Sequence, residues 1–153
     1  MQNQTIYLDN NATTKVAPEV VDAITPYFSQ AYGNPSSLYE FGTQIRRVIE
    51  EARREVSGRL GAKSEREIVF TSGGTESNLT AFHSALESRP NRKRIVTTQV
   101  EHSSVLHLCR AFQQKGYEVV FVGVSKTGAL DWDAFERAMT NDTALVSIMW
   151  ANN

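Results

Sequence analysis

Cysteine is nearly absent from this 153-residue chain: Cys109 stands alone, which excludes an internal disulfide and any Cys-rich zinc site. The three histidines are too scattered to repair that lack, and a reducing, cytoplasmic setting fits. Charge of one sign is missing as well. Sixteen basic residues face seventeen acidic ones, a net charge of -1, so nothing is left over to grip a phosphate backbone or an anionic membrane. Nucleic acid and membrane are therefore not expected as partners. No apolar run approaches the ~18 residues of a membrane span. The opening residues, MQNQTIYLDNNATT, lack the basic and apolar regions of a signal peptide. Low-complexity runs and solenoid-type repeats are missing too. What remains, with 41% hydrophobic and 22% charged residues, is the composition of an ordinary globular domain. It is long enough to bury roughly two-thirds of its unfolded surface without staples.

Periodicity gives the elements. From Thr43 to Leu60, the residues Ile45, Val48, Ile49, Ala52, Val56 and Leu60 recur at three-and-four spacing between charged residues, which predicts an amphipathic helix. Gly61 is placed to end it, because glycine enters the left-handed region without a Cβ clash. Pro18 opens a shorter helix running toward Phe28, and Pro26 should interrupt it. From Glu67 onward β-branched runs alternate with helical periods. Predicted strands are Glu67 to Thr71, Arg94 to Gln99, Tyr117 to Val124 and Ala144 to Trp150. Between them fall helices carrying Leu79, Phe82 and Leu86, then Val105, Leu108 and Phe112, then Phe135, Ala138 and Met139. Strands alternating with helices imply an α/β fold with a mostly parallel sheet covered on both faces. The chain stops at Ala151-Asn152-Asn153, just past a core strand. A parallel neighbour needs a crossover, so the expectation is the first part of a longer protein.

In an open α/β sheet, ligands bind beyond the carboxyl ends of the strands. After the first predicted strand comes Ser72-Gly73-Gly74-Thr75-Glu76-Ser77, where glycines allow close approach and the next helix turns its free N–H groups outward, a setting for phosphate. It contains no lysine and no G-x-G-x-x-G, so it is neither a Walker A loop nor a dinucleotide fingerprint. A plain helix cap reads the same residues equally well. After the second strand, His102 stands at the same edge, where its ring could stack on a planar ligand, ahead of Ser103 or Ser104 as helix cap. After the last strand, Asn152 and Asn153 offer amides. Asp9 to Thr14 and Gly33 to Ser37 read as polar turns, with Ser36 a cap for the next element. His83 and His107 read as structural or solvated. Cys109 shares the apolar stripe of Val105, Leu108 and Phe112 and reads as a small core hydrophobe with a raised pKa, not a nucleophile. Trp132 and Trp150, with Phe121 and Phe135, read as packing.

Taken in order, YLDNNATT, YGNPSSLYEFG, VFTSGGTES, VEHSSV and MWANN span the chain and together resemble one family, the cysteine desulfurases. These are pyridoxal-phosphate enzymes of the class V aminotransferase group, and VEHSSV and MWANN lean toward the nitrogen-fixation (NifS) branch. The resemblance implies a three-layer transferase-type large domain, truncated here. Residues 1–15 would belong to the small domain of the full enzyme and residues 16–153 to the first part of the large, cofactor-binding domain.

The resemblance further places Gly74 and Thr75 on the phosphate of pyridoxal 5'-phosphate. It stacks His102 on the pyridine ring with a part in proton movement, sets Asn153 at the ring-hydroxyl side, and puts Asn34 near the substrate carboxylate; it assigns no metal. The implied reaction takes L-cysteine to L-alanine, leaving sulfur as an enzyme persulfide for iron-sulfur cluster assembly, in a homodimer that delivers to a scaffold protein. An Asp, a Gln, the Schiff-base Lys, an Arg and the nucleophilic Cys are expected further along, so this chain alone should be inactive. Two other readings stay open: another class V enzyme, such as a selenocysteine lyase or an aminotransferase, and a non-catalytic α/β module that holds phosphate.

Overall fold

The runs RIVTT, EVVFV and TALVS are too apolar to face water on either side, and they meet as neighbours in one sheet. In the computed structural model, which describes residues 6–152, β1 (Arg94–Thr98), β2 (Glu118–Val122) and β3 (Thr143–Ser147) are ordered β2-β1-β3 and parallel throughout. β1 is central, with Ile95 opposite Val119 on one side and Leu145 on the other. Alternation along it sends side chains to both faces. Ile95 packs with Phe82 and Leu86 of α3 (Gly74–Glu87) and with Val105, Cys109 and Phe112 of α4 (Ser103–Gln114). Val96 packs on the opposite face with Val122 and with Ala138 of α5 (Trp132–Ala138). The result is the expected α/β arrangement, a parallel sheet between two helical layers.

The amino ends of the strands are held by charge. Arg94 donates from Nε and Nη2 to the Glu118 carboxylate, at 2.8 to 3.0 Å, and from Nη1 to the Ala138 carbonyl. Arg92 donates to the Thr143 carbonyl, and the Lys93 amide to Asp142 Oδ1.

The chain divides into two compact units, one made of the residues up to Ala12 together with Thr71 onward, the other of Thr13–Phe70. In the second unit, α1 (Pro18–Ile24) gives way to a 3₁₀ turn over Thr25–Phe28, where Pro26 lacks the N–H that an α-helix needs. α2 (Glu40–Leu60) then runs for 21 residues and ends at Gly61, whose φ of 66° is left-handed. Before α2, the Asn34 side chain accepts from the Ser36 amide. Ser36 is therefore part of an Asx-type turn and not the helix cap; Tyr39 occupies the cap position with no side-chain hydrogen bond. Arg46 pins this turn to α2 by donating to the carbonyls of Pro35 and Ser37.

Three further expectations are corrected. Glu67 to Thr71 is not a strand: Glu65–Glu67 forms a 3₁₀ turn, the Ile68 amide donates back to Glu65, and the Ile68 carbonyl is taken by the Arg53 guanidinium. With its polar groups used locally and no neighbouring strand among the described residues, no ladder forms. The last strand stops at Ser147, short of Trp150, because the Met149 amide is diverted to a side chain, Glu101. Trp132 and Trp150 are exposed, not packed in a core, although Trp132 meets the half-buried Phe135 edge-on.

α2 approaches the Asn34 turn through a buried glycine. A Cβ on Gly42 would lie 2.4 Å from the Asn34 carbonyl oxygen and 2.7 Å from Ser37 Cβ, whereas one on Gly58 meets nothing. Gly42→Ala is expected to lower stability by about 1–3 kcal/mol through overpacking, and Gly58→Ala to raise it by roughly 0.5–1 kcal/mol through helix propensity. Denaturant unfolding of the two variants checks the sign reversal.

Candidate active site

The carboxyl ends of parallel strands collect the chemistry. β1 runs directly into Val100, Glu101 and His102, and β3 into the segment ending at Asn152. Glu101 is buried, and its Oε1 accepts both from the Thr98 hydroxyl at 3.0 Å and from the Met149 amide at 2.7 Å. A buried carboxylate persists only when hydrogen-bonded, and here its partners tie the residues after β1 to those after β3. The Asn152 amide adds a second tie, donating to the Val100 carbonyl at 2.9 Å. A cleft of about 310 Å³ opens beside this edge, lined by Val100, Thr127, Met149, Trp150 and Asn152 among others. Asn153 lies outside the described residues.

His102 is the N-cap of α4. Its Nδ1 accepts from the Ser104 amide at 3.2 Å and meets Ser104 Oγ at 2.8 Å. The expectation that Ser103 or Ser104 would cap this helix is thus corrected: the cap is the residue before them, whose ring nitrogen takes the Ser104 amide two residues on. Ser104 Oγ in turn takes a hydrogen bond from Asn78 Nδ2 at 2.9 Å. The chain Asn78, Ser104, His102 therefore joins α3 to the start of α4 and brings His102 together with the helix that begins at Gly74 and Thr75.

At that helix start, Gly73 occupies the cap position and supplies no side-chain hydrogen bond. Added Cβ atoms on Gly73 and Gly74 would meet nothing within 4 Å. The result is an open approach to the first turn of a 14-residue helix, whose leading N–H groups and dipole favour an anion. The loop is braced from beneath: Glu76 accepts from both the amide and the hydroxyl of Ser72 at 2.6 Å, and Thr71 Oγ1 lies 2.7 Å from Ser77 Oγ. Asn34 belongs to the other compact unit.

Cys109 is fully buried on the α4 stripe, and burial pushes its thiol up to about 11, with the Glu101 charge adding to the effect. The Thr97 hydroxyl beside it works weakly in the other direction, without reaching hydrogen-bond geometry to any described group. His83 packs its ring against Phe112 at 5.2 Å, and His107 is exposed. The sequence reading missed Glu101, Asn78 and Ser104 as structural members of the site. Glu101 had one available signal, since an acidic residue directly after a buried strand must find partners.

This geometry sets three expected outcomes. Glu101→Ala strands the Met149 amide and the Thr98 hydroxyl and is expected to cost about 2–4 kcal/mol in denaturant unfolding, with Glu101→Gln milder because its carbonyl still accepts. The two Ser72 hydrogen bonds hold the Glu76 carboxyl below its usual range. Its bracing is therefore fully present above the ordinary carboxylate pKa and lost as pH falls through the lowered value. The Ser72 amide resonance should titrate with a midpoint below that of an unperturbed glutamate. Cys109 should resist a thiol reagent at mildly alkaline pH in the folded protein and react on unfolding, as read by mass-spectrometric site mapping.

Comparison with known proteins agrees with this architecture. The family described as Aminotransferase class-V matches residues 6–153. A cysteine desulfurase of Trichormus azollae is 52% identical over 97% of this chain and 37% of its own length, and the cysteine desulfurase NifS of Azotobacter vinelandii is 49% identical over the same shares. Among solved structures, one described as a NifS-like protein superimposes with a TM-score of 0.88 at 36% identity, over 97% of this chain and 41% of that one. Another, described as SspA in complex with cysteine, gives 0.83 at 30%, over 94% of this chain and 42% of that one. The chain thus spans about 37% of the length of those curated relatives. Matched in profile along its length, in half its residues and in backbone course, it belongs to the class V aminotransferase family.

Proposed function

We propose that this chain is the N-terminal part of a pyridoxal-phosphate-dependent cysteine desulfurase of the NifS type. The whole protein converts L-cysteine to L-alanine and passes the sulfur, as an enzyme persulfide, toward iron-sulfur cluster assembly, with a role in nitrogen fixation. The observation that carries the reading is identity of about half to relatives named cysteine desulfurase over 97% of the chain. In this reading the protein is a cytoplasmic homodimer that delivers to a scaffold protein. Residues 1–15 belong to the small domain and 16–153 to the first part of the large one.

The residues present fit the cofactor. The uncapped first turn of α3, open at Gly73 and Gly74, suits a phosphate group, with Gly74 and Thr75 holding it. His102 would stack on the ring and take part in proton movement, Asn153 would contact the ring-hydroxyl side, and Asn34 would lie near the substrate carboxylate. When bound, pyridoxal phosphate supplies an electron sink for chemistry at the substrate Cα. The chain's own part is to hold the phosphate, orient the ring and keep the His102 edge in register through Glu101.

The complete protein with pyridoxal phosphate is expected to release alanine and sulfide from L-cysteine, and the 153-residue chain to release neither. Alanine from the short chain would show that the essential groups do not lie further along. A complete protein that binds inorganic phosphate but ignores pyridoxal phosphate would favour a phosphate-holding module instead. Thr75→Ala is expected to weaken cofactor binding about 10-fold or more, the weight of one charge-assisted hydrogen bond, measured by titrating the absorbance of the bound cofactor.

A further inference from the structure

The hydrogen bonds around His102 have a direction, and a single group sets it. Nδ1 faces the backbone N–H of Ser104 at 3.2 Å. A backbone N–H can only donate, so Nδ1 must keep its lone pair, and in the neutral ring the proton sits on Nε2. The Ser104 hydroxyl, 2.8 Å from the same nitrogen, must then donate to it as well. Its oxygen is left as an acceptor, and that is the role Asn78 Nδ2 fills at 2.9 Å. Ser104 is buried and Asn78 half-buried, which keeps both from turning to water, while His102 itself is exposed and its Nε2 has no hydrogen-bond partner among the described residues.

The geometry points to Asn78 as a positioning residue for His102: by donating to Ser104 Oγ it keeps that hydroxyl donating to Nδ1, which reinforces the polarity set by the Ser104 amide and holds the ring with Nε2–H presented as a donor. This rests on the reading of His102 as part of the cofactor site. A neutral ring held this way gives a hydrogen bond from Nε2, while its one lone pair, at Nδ1, is turned to Ser104 and away from the open side. Asn78 lies four residues past Gly74 on the same helix, so the element proposed to hold the phosphate also aims the ring.

The polarity separates this from simple packing. Asn78→Ala removes the donor. Asn78→Asp keeps the size but can only accept when ionised, which draws the Ser104 hydroxyl away and turns its lone pair toward Nδ1. In the complete, cofactor-loaded protein, Asn78→Ala is expected to lower kcat for alanine release about 10-fold, the weight of one positioned hydrogen bond. KM for cysteine should move little, and Asn78→Asp should fall below Asn78→Ala. An Asp variant equal to or better than the Ala variant would reduce Asn78 to a space-filling role and overturn the proposal.

A second measurement needs no cofactor and no turnover. With ¹⁵N-labelled histidine in the complete apo protein, the neutral form of the His102 ring should carry its proton on Nε2. Its signal is assigned by its loss in His102→Asn. A proton found on Nδ1 would overturn the polarity outright. If the wild-type protein releases no alanine from cysteine, the desulfurase reading fails, and the ring-nitrogen result still decides the hydrogen-bond chain.

Discussion

Burial of β1 on both faces is the constraint on which the rest depends. Ile95 and Val96 are withdrawn from water on opposite sides of the sheet, so neither helical layer can be removed without exposing an aliphatic side chain worth roughly 1.5–3 kcal/mol. Its backbone is also paired along both edges. A strand fixed in this way cannot slip, because a one-residue shift would send each side chain to the wrong layer. The residues that leave it, Val100 to His102, inherit that fixed position.

The two ends of the sheet are secured by different physics. At the amino ends, arginines and Asp142 hold carbonyls, an amide and a carboxylate that are partly open to solvent, and such pairs are individually modest. At the carboxyl ends, a single buried carboxylate holds a hydroxyl and an amide. It sets geometry as well as stability, since two segments separated by 48 residues in sequence are joined through its oxygen atom. Tolerance to substitution should differ accordingly between the ends, broad where charges are solvated and narrow where one acceptor serves two donors.

What could be read in the sequence was local or periodic. The stripe from Ile45 to Leu60 and its glycine stop appear as α2 and Gly61, because helical period and left-handed backbone are written in adjacent residues. The β-branched runs around Ile95, Val120 and Leu145 appear as three strands because they are apolar on both faces. Glu67 to Thr71 has the same composition and forms no strand, since a strand is a relation to a neighbour, and Arg53 and Glu65 had already claimed the backbone of Ile68. At the helix starts, the open Gly73-Gly74 turn and the place of His102 just past β1 were legible in their motifs. Asn78 and Ser104 were not, because a hydrogen bond across 26 residues leaves no trace in spacing. Nor was the exposure of Trp150, which its apolar neighbours concealed.

His102 serves two masters with one ring. Its Nδ1 satisfies the first turn of α4, a task that Asn, Asp or Ser could perform equally well, while only an imidazole offers a flat aromatic face and a second nitrogen. A saturation survey of this position should therefore resolve into two sets that do not coincide. One is a generous group of short acceptors that preserve the cap; the other is histidine alone, the only residue that adds a flat aromatic face and a second nitrogen. Selection for folding alone would let position 102 drift among such acceptors, so the fold by itself does not demand a histidine there.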